Sequence, residues 1–212
     1  MTLASGMGTM IDALVEQLGN RIKTGVTVSS LEAKDNGFAV HTNHGTETAR
    51  AIVMACPAAG AASICRSQLP TLAAELKTIN HVSTATVSLG FAPDQLHSSK
   101  IPDGTGFVVP ADEQRKIQAC TWVSNKFAGR ATGDTVLLRA FMGGPDNGEW
   151  VMRTADEPLV EIALGELRDI MGFSATPSIS RVYRWPDAHP QYEVGHLERV
   201  ERMEATVRDA GN

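Results

Sequence analysis

Trp185 stands in the segment Arg184-Trp185-Pro186-Asp187-Ala188-His189-Pro190-Gln191-Tyr192-Glu193-Val194-Gly195-His196, which holds a large aromatic, two prolines and a glycine. The segment follows a strand-like run, Ile179 to Tyr183, and precedes a helical pattern. Prolines fix φ and cannot donate to a ladder, so a stiff loop that leaves the sheet is expected here. Such a loop would present Trp185 as a flat wall, suited to a flat conjugated cofactor. Other candidate chemistry is thinner. Gly6-Met7-Gly8 has Ile11 where a dinucleotide fingerprint needs its third glycine, and only five residues precede it, too few for the required strand. Cys56, Cys65 and Cys120 are an odd number. Cys56 and Cys120 sit in apolar strand-like runs, and all three read as reduced packing thiols rather than nucleophiles. His41 and His44 flank a turn with no cysteine or acidic ligand beside them in sequence, so a solvated turn accounts for them better than a metal site. His189 and His196 bracket the proline segment, where capping and loop packing suffice.

Further motifs carry a resemblance. Gly6-Met7-Gly8-Thr9-Met10-Ile11, Ala55-Cys56-Pro57-Ala58, Thr105-Gly106-Phe107-Val108-Val109-Pro110, Ala119-Cys120-Thr121-Trp122 and Leu137-Leu138-Arg139-Ala140-Phe141 occur in one order with the Trp185 segment. Together they resemble the porphyrinogen oxidases of haem synthesis, a branch of the flavin amine oxidase superfamily, over nearly the whole chain. The resemblance is nearest to the bacterial coproporphyrinogen III type. It implies FAD as cofactor, with Val28 meeting its adenine side through the backbone and Trp185 lying near the flavin. It implies a tetrapyrrole pocket lined by Thr105, Val108 and Phe141, and it assigns no catalytic side chain. Arg139 or Arg130 could meet a propionate, although two arginines among 19 Lys plus Arg single out neither.

The expected reaction is FAD-dependent oxidation of coproporphyrinogen III to coproporphyrin III, or protoporphyrinogen IX to protoporphyrin IX, with oxygen as acceptor. The family's phosphate-holding glycine segments have no match here. The chain therefore resembles a central to C-terminal fragment, expected to be inactive alone and to need the N- and C-terminal parts of the same enzyme. Two alternatives stay open: a flavin-containing amine oxidase, and a non-catalytic remnant that binds a tetrapyrrole or a partner.

The elements that must hold these residues can be read from periodicity. Thr9 to Leu18, Ala58 to Ile64, Thr71 to Ile79 and Ala155 to Met171 read as helices, the last with an apolar stripe and a stop at Gly172. Leu197 to Val207 reads as an amphipathic helix. Thr24 to Leu31, Phe38 to His41 and Thr46 to Met54 read as a three-stranded meander whose last strand, running into Ala51 to Cys56, is the deepest. Val82 to Phe91, Gly106 to Pro110, Ile117 to Ser124, Thr135 to Phe141 and Pro177 to Tyr183 read as further strands, and Pro93 to Gly104 as a loop. The fold class is α+β, of the FAD/NAD(P)-binding flavoprotein type, with an antiparallel substrate-domain sheet, helices and a small β-meander. From the resemblance, residues 1–57 and 183–212 belong to the FAD-binding domain and 58–182 to the substrate domain.

The chain has 212 residues, 42% hydrophobic and 20% charged, with a formal net charge of −5, a composition of folded rather than disordered chains. That charge and the scatter of Lys and Arg argue against nucleic acid as main partner. No apolar run nears the roughly 20 residues of a membrane-spanning helix. No signal pattern opens the chain, and a cytoplasmic protein is expected.

Overall fold

The computed structural model describes residues 2–96, 101 and 103–210. In chain order the elements are α1 (Gly8–Leu18), β1 (Val28–Lys34), β2 (Gly37–Thr42), β3 (Gly45–Ala49), α2 (Ala58–Cys65) and α3 (Pro70–Lys77). They continue with β4 (His81–Phe91), β5 (Gly106–Val108), β6 (Ile117–Trp122), α4 (Val123–Lys126) and β7 (Val136–Gly143). Helices α5 (Gly148–Arg153) and α6 (Asp156–Met171), strand β8 (Ile179–Pro190) and helix α7 (His196–Asp209) complete the order. The fold is α+β, as expected. Part of the loop expected over Pro93 to Gly104, at 97–100 and 102, lies outside the described residues.

Two compact units divide the chain, one formed by residues 1–17 and 82–189 and the other by 18–81 and 190–212. These turnover points differ from the boundaries at 57 and 182 expected from the resemblance. Helices α2 and α3 fall in the same unit as the meander, because α2 packs on β1 and α3 on α7.

The larger unit is a five-stranded sheet in the order β5-β6-β7-β4-β8. Strands β5, β6, β7 and β4 pair antiparallel. Strand β8 runs antiparallel to β4 as well. The Ser178 N–H donates to the Gly90 carbonyl at 2.9 Å and the Asp187 N–H to Ser83 Oγ at 2.9 Å, so numbering rises on one strand as it falls on the other. Strands alternate their side chains between two faces. One face is the core, where Ala85, Val87, Leu89 and Phe91 of β4 join Leu138, Ala140 and Met142 of β7 and Ile117, Cys120 and Trp122 of β6. Helix α6 closes that face with Leu159, Ala163 and Leu167, four residues apart and buried. Gly172 ends α6 at φ 65°, its N–H returning to the Arg168 carbonyl at 2.9 Å, which is the stop read from the sequence.

The smaller unit holds the antiparallel meander β1-β2-β3. Its own core is Ala62, Cys65, Leu72 and Ala73, with Met54, Leu76, Met203 and Val207 packed against it.

Three expectations are corrected. The proline segment does not leave the sheet at Trp185; β8 continues to Pro190. It can do so because β8 is an edge strand, where outward N–H groups have no ladder partner to lose. Beyond the irregular Asp187, at φ 43°, the inward N–H groups are those of Asp187 and Gln191, which leaves Pro190 on the outward register. The meander's last strand is not the deepest: β3 stops at Ala49 and is mostly exposed, and Val53 is 91% exposed. Among the described residues no strand pairs with 51–56, so an apolar run alone does not become a buried strand. Cys56, expected as a packed thiol of that run, is exposed.

Candidate functional site

The face of the five-stranded sheet opposite α6 carries the odd members of the alternation. The register places them in rows. Val108 of β5 lies opposite Ala119 of β6, Ala119 opposite Phe141 of β7, and Phe141 opposite Thr86 of β4. The neighbouring row is Gly106, Thr121, Arg139 and Ser88. A β-carbon built on Gly90 would stand 3.5 Å from Ile179 Cβ, so Ile179 and, by alternation, Arg181, Tyr183 and Trp185 of β8 share this face. Val182 turns the other way, into the core. The open face thus runs from Val108, 80% exposed, across half-buried Phe141 to Tyr183 and Trp185, 56% and 49% exposed.

Two of the expected pocket residues, Val108 and Phe141, therefore share one cross-strand row, and Trp185 stands on the same face two strands from Phe141. Thr105 precedes β5 and is exposed; its carbonyl accepts the Trp122 N–H at 2.9 Å and so starts the β5–β6 pairing. Val28 opens β1 in the other compact unit, half-buried and opposite Thr42. Arg181 and Tyr183 are additions to the candidate site. Their signal was available in the period-two pattern of Ile179 to Tyr183, in which Val182 faces inward.

What holds this face in place is a set of polar anchors at its edge. The Arg184 side chain, adjacent to Trp185, donates to the Val151 carbonyl at 3.0 Å, to the Thr154 carbonyl and to Asp156 Oδ1 at 2.6 Å. Those partners lie in or beside α5 and at the start of α6, so β8 is tied to the layer behind the sheet. At the bend, on the α5 side of β4, Ser83 Oγ donates to Asp187 Oδ1 at 3.0 Å and accepts the Asp187 N–H, which pins β8 there.

Among the described residues no acid–base pair stands on the open face. Cys120 points into the core, and burial pushes its thiol up to about 12, which removes it as a nucleophile at neutral pH. His41 lies 3.1 Å from Thr46 Oγ1 and 3.6 Å from Glu32, and His44 lies 3.3 Å from the Gly25 carbonyl, so each has a local structural partner. His196 stacks on Tyr192 with ring centroids 4.3 Å apart. Arg130 donates to the Leu3 carbonyl at 3.0 Å and to Thr2 Oγ1 at 3.3 Å, holding the segment ahead of α1.

These residues can be tested against a flavin. An isoalloxazine ring needs a flat, apolar, rigid wall, and Trp185 with Tyr183 on an anchored strand fits that need. A pyrophosphate needs several convergent N–H groups at a helix start. Ahead of α1 the would-be Gly6 side-chain position is taken by the Arg130 guanidinium, 2.6 Å away, and no cradle forms there. Among the described residues, the Trp185 strand has the character the ring end requires, and the Gly6 turn offers no cradle for the phosphates.

Residues 1–209 match the family of flavin-containing amine oxidoreductases, and the chain belongs to that family. A flavin, FAD, is the cofactor that goes with it. Coproporphyrinogen III oxidase of Bacillus subtilis (strain 168) is 29% identical over 99% of this chain and 44% of its own length. The enzyme of the same name from Propionibacterium freudenreichii subsp. freudenreichii is 32% identical over 98% of this chain and 38% of its own. A solved structure from Exiguobacterium sp. 255-15, described as a candidate protoporphyrinogen oxidase, superposes with a TM-score of 0.83 at 30% identity, covering 99% of this chain and 45% of that one. The chain thus spans about two fifths of the length of the curated relatives it matches.

Proposed function

We propose that the full-length enzyme is an FAD-dependent porphyrinogen oxidase of haem synthesis, acting on coproporphyrinogen III in preference to protoporphyrinogen IX. The observation that carries this reading is the open sheet face, on which Val108 and Phe141 share a row and Trp185 flanks it, in a chain whose curated relatives include coproporphyrinogen III oxidases. When bound, FAD would supply the redox chemistry of the reaction, three two-electron oxidations of the macrocycle with oxygen as acceptor and three hydrogen peroxides per porphyrin. This chain's residues bind, orient and exclude water. Val108 and Phe141 provide apolar contact for a broad macrocycle, and Thr105 borders them at the start of β5. Trp185 would hold the ring end of the cofactor and the Val28 backbone its adenine side. No side chain is required to move a proton in the difficult step, because the cofactor supplies the redox chemistry and the protein supplies position.

The domain assignment follows the same proposal: residues 1–57 and 183–212, with the meander, Trp185 and the C-terminal helix, would serve the cofactor, and residues 58–182 the substrate. The test is a comparison of initial rates for the two porphyrinogens with full-length enzyme, followed by porphyrin fluorescence. Faster oxidation of coproporphyrinogen III is expected; preference for the vinyl-bearing substrate would overturn the choice.

A further inference from the structure

We propose that Arg139 and Arg181 form a cationic row that receives the carboxylate arms of the macrocycle, an inference that rests on the porphyrinogen reading and adds where the acid groups go. Arg139 of β7 pairs with Ser88 of β4, and its Nε lies 3.4 Å from Ser88 Oγ. On the far side of Ser88 stands Arg181 of β8, by the same alternation that sets Ile179 against Gly90. The two guanidinium-bearing positions are therefore two interstrand steps apart, roughly 10 Å. Both side chains are exposed on the open face, and neither has a carboxylate partner among the described residues. Arg181 Nη1 reaches only the Ser180 carbonyl, at 3.0 Å.

From β5 across to Trp185, the described strand residues of this face include two arginines, Arg139 and Arg181, and no Asp or Glu. Adjacent to the arginine row is the apolar row of Phe141, and beyond it stands Trp185. From Arg181 to Trp185 is four residues of strand, roughly 14 Å. An apolar macrocycle over Phe141 would thus turn one edge toward Trp185 and its acid arms toward the guanidinium groups, which bind carboxylates through forked donors. The same positive row repels a cationic amine. Two guanidinium groups receive up to two adjacent carboxylates, so the row favours a macrocycle with free acid arms over an esterified one.

The experiment uses the full-length flavoenzyme with R139Q, R181Q and the double variant. Each is assayed with coproporphyrinogen III and with its tetramethyl ester, and binding of coproporphyrin III is measured in parallel by absorbance. The ratio of acid to ester kcat/KM should fall roughly 10- to 100-fold in each single variant, chiefly through KM. R139K and R181K, which keep the charge, should retain most of that ratio, and bound FAD serves as the check on folding. An unmoved ratio in folded variants overturns the arginine row while leaving the reaction standing. Arginine-dependent binding of coproporphyrin III by a wild type that oxidises no porphyrinogen keeps the row and overturns the reaction. Absence of both binding and oxidation overturns both.

Discussion

Trp185 owes its place to the residues beside it. Pro186 stiffens the backbone that follows it, and Arg184 on its other flank spends its guanidinium on three acceptors behind the sheet. A half-exposed indole on such a strand is a wall rather than a core residue, since its neighbours and not its own burial hold it still. Replacing Trp185 with Ala in the full-length enzyme should therefore lower FAD content or shift the flavin absorbance bands, with little change in the folding transition. Unchanged spectra together with full FAD occupancy would show that the indole does not touch the cofactor. The residue chemistry expected from sequence alone survives unevenly. Cys120 is buried and inert, whereas Cys56 is exposed, because a thiol's environment depends on which strands pair and not on how apolar its own run is. Val108 and Phe141 could be named from their motifs. That they share a row could not, because register between strands distant in sequence leaves no mark within either one.

At the level of elements, β8 carries the most consequence. Its alternation puts Val182 into the core and Arg181, Tyr183 and Trp185 on the open face, and a one-residue slip would exchange the two sets. Arg184 opposes such a slip through Val151, Thr154 and Asp156. Arg184→Gln should lower the unfolding free energy by about 2–4 kcal/mol, from loss of charge-assisted bonds to partly buried carbonyls. The shift of the urea midpoint measures this, and a midpoint equal to wild type would contradict the anchoring role. Helix α6 was legible in advance because sixteen residues of 3.6-period stripe and a terminal glycine are strong local signals. The continuation of β8 through Pro190 was not. Proline's local preference argues against a strand, and only the tertiary fact of an edge position reverses that argument. Helix α5 was also missed; six residues are too few to display a helical period. The apolar run 51–56 shows the opposite error, a strong strand signal without a neighbouring strand to pair with.

For the molecule as a whole, the composition bounds the partners and the face composition narrows them. A net charge of −5 coexists with a sheet face whose described strand residues, from β5 across to Trp185, carry two arginines and no carboxylate, so the positive charge there is local and directed. Among the described residues no helix is long and apolar enough to cross a membrane. Residues 1–209 match the family of flavin-containing amine oxidoreductases, and the chain spans about two fifths of the curated relatives' length. The most direct test mixes the full-length enzyme, loaded with FAD and free of oxygen, with one equivalent of coproporphyrinogen III. The account predicts that the flavin bleaches in one two-electron round, and that porphyrin fluorescence rises and the colour returns on admission of oxygen. A flavin that stays oxidised with the porphyrinogen yet bleaches with a primary amine would contradict it.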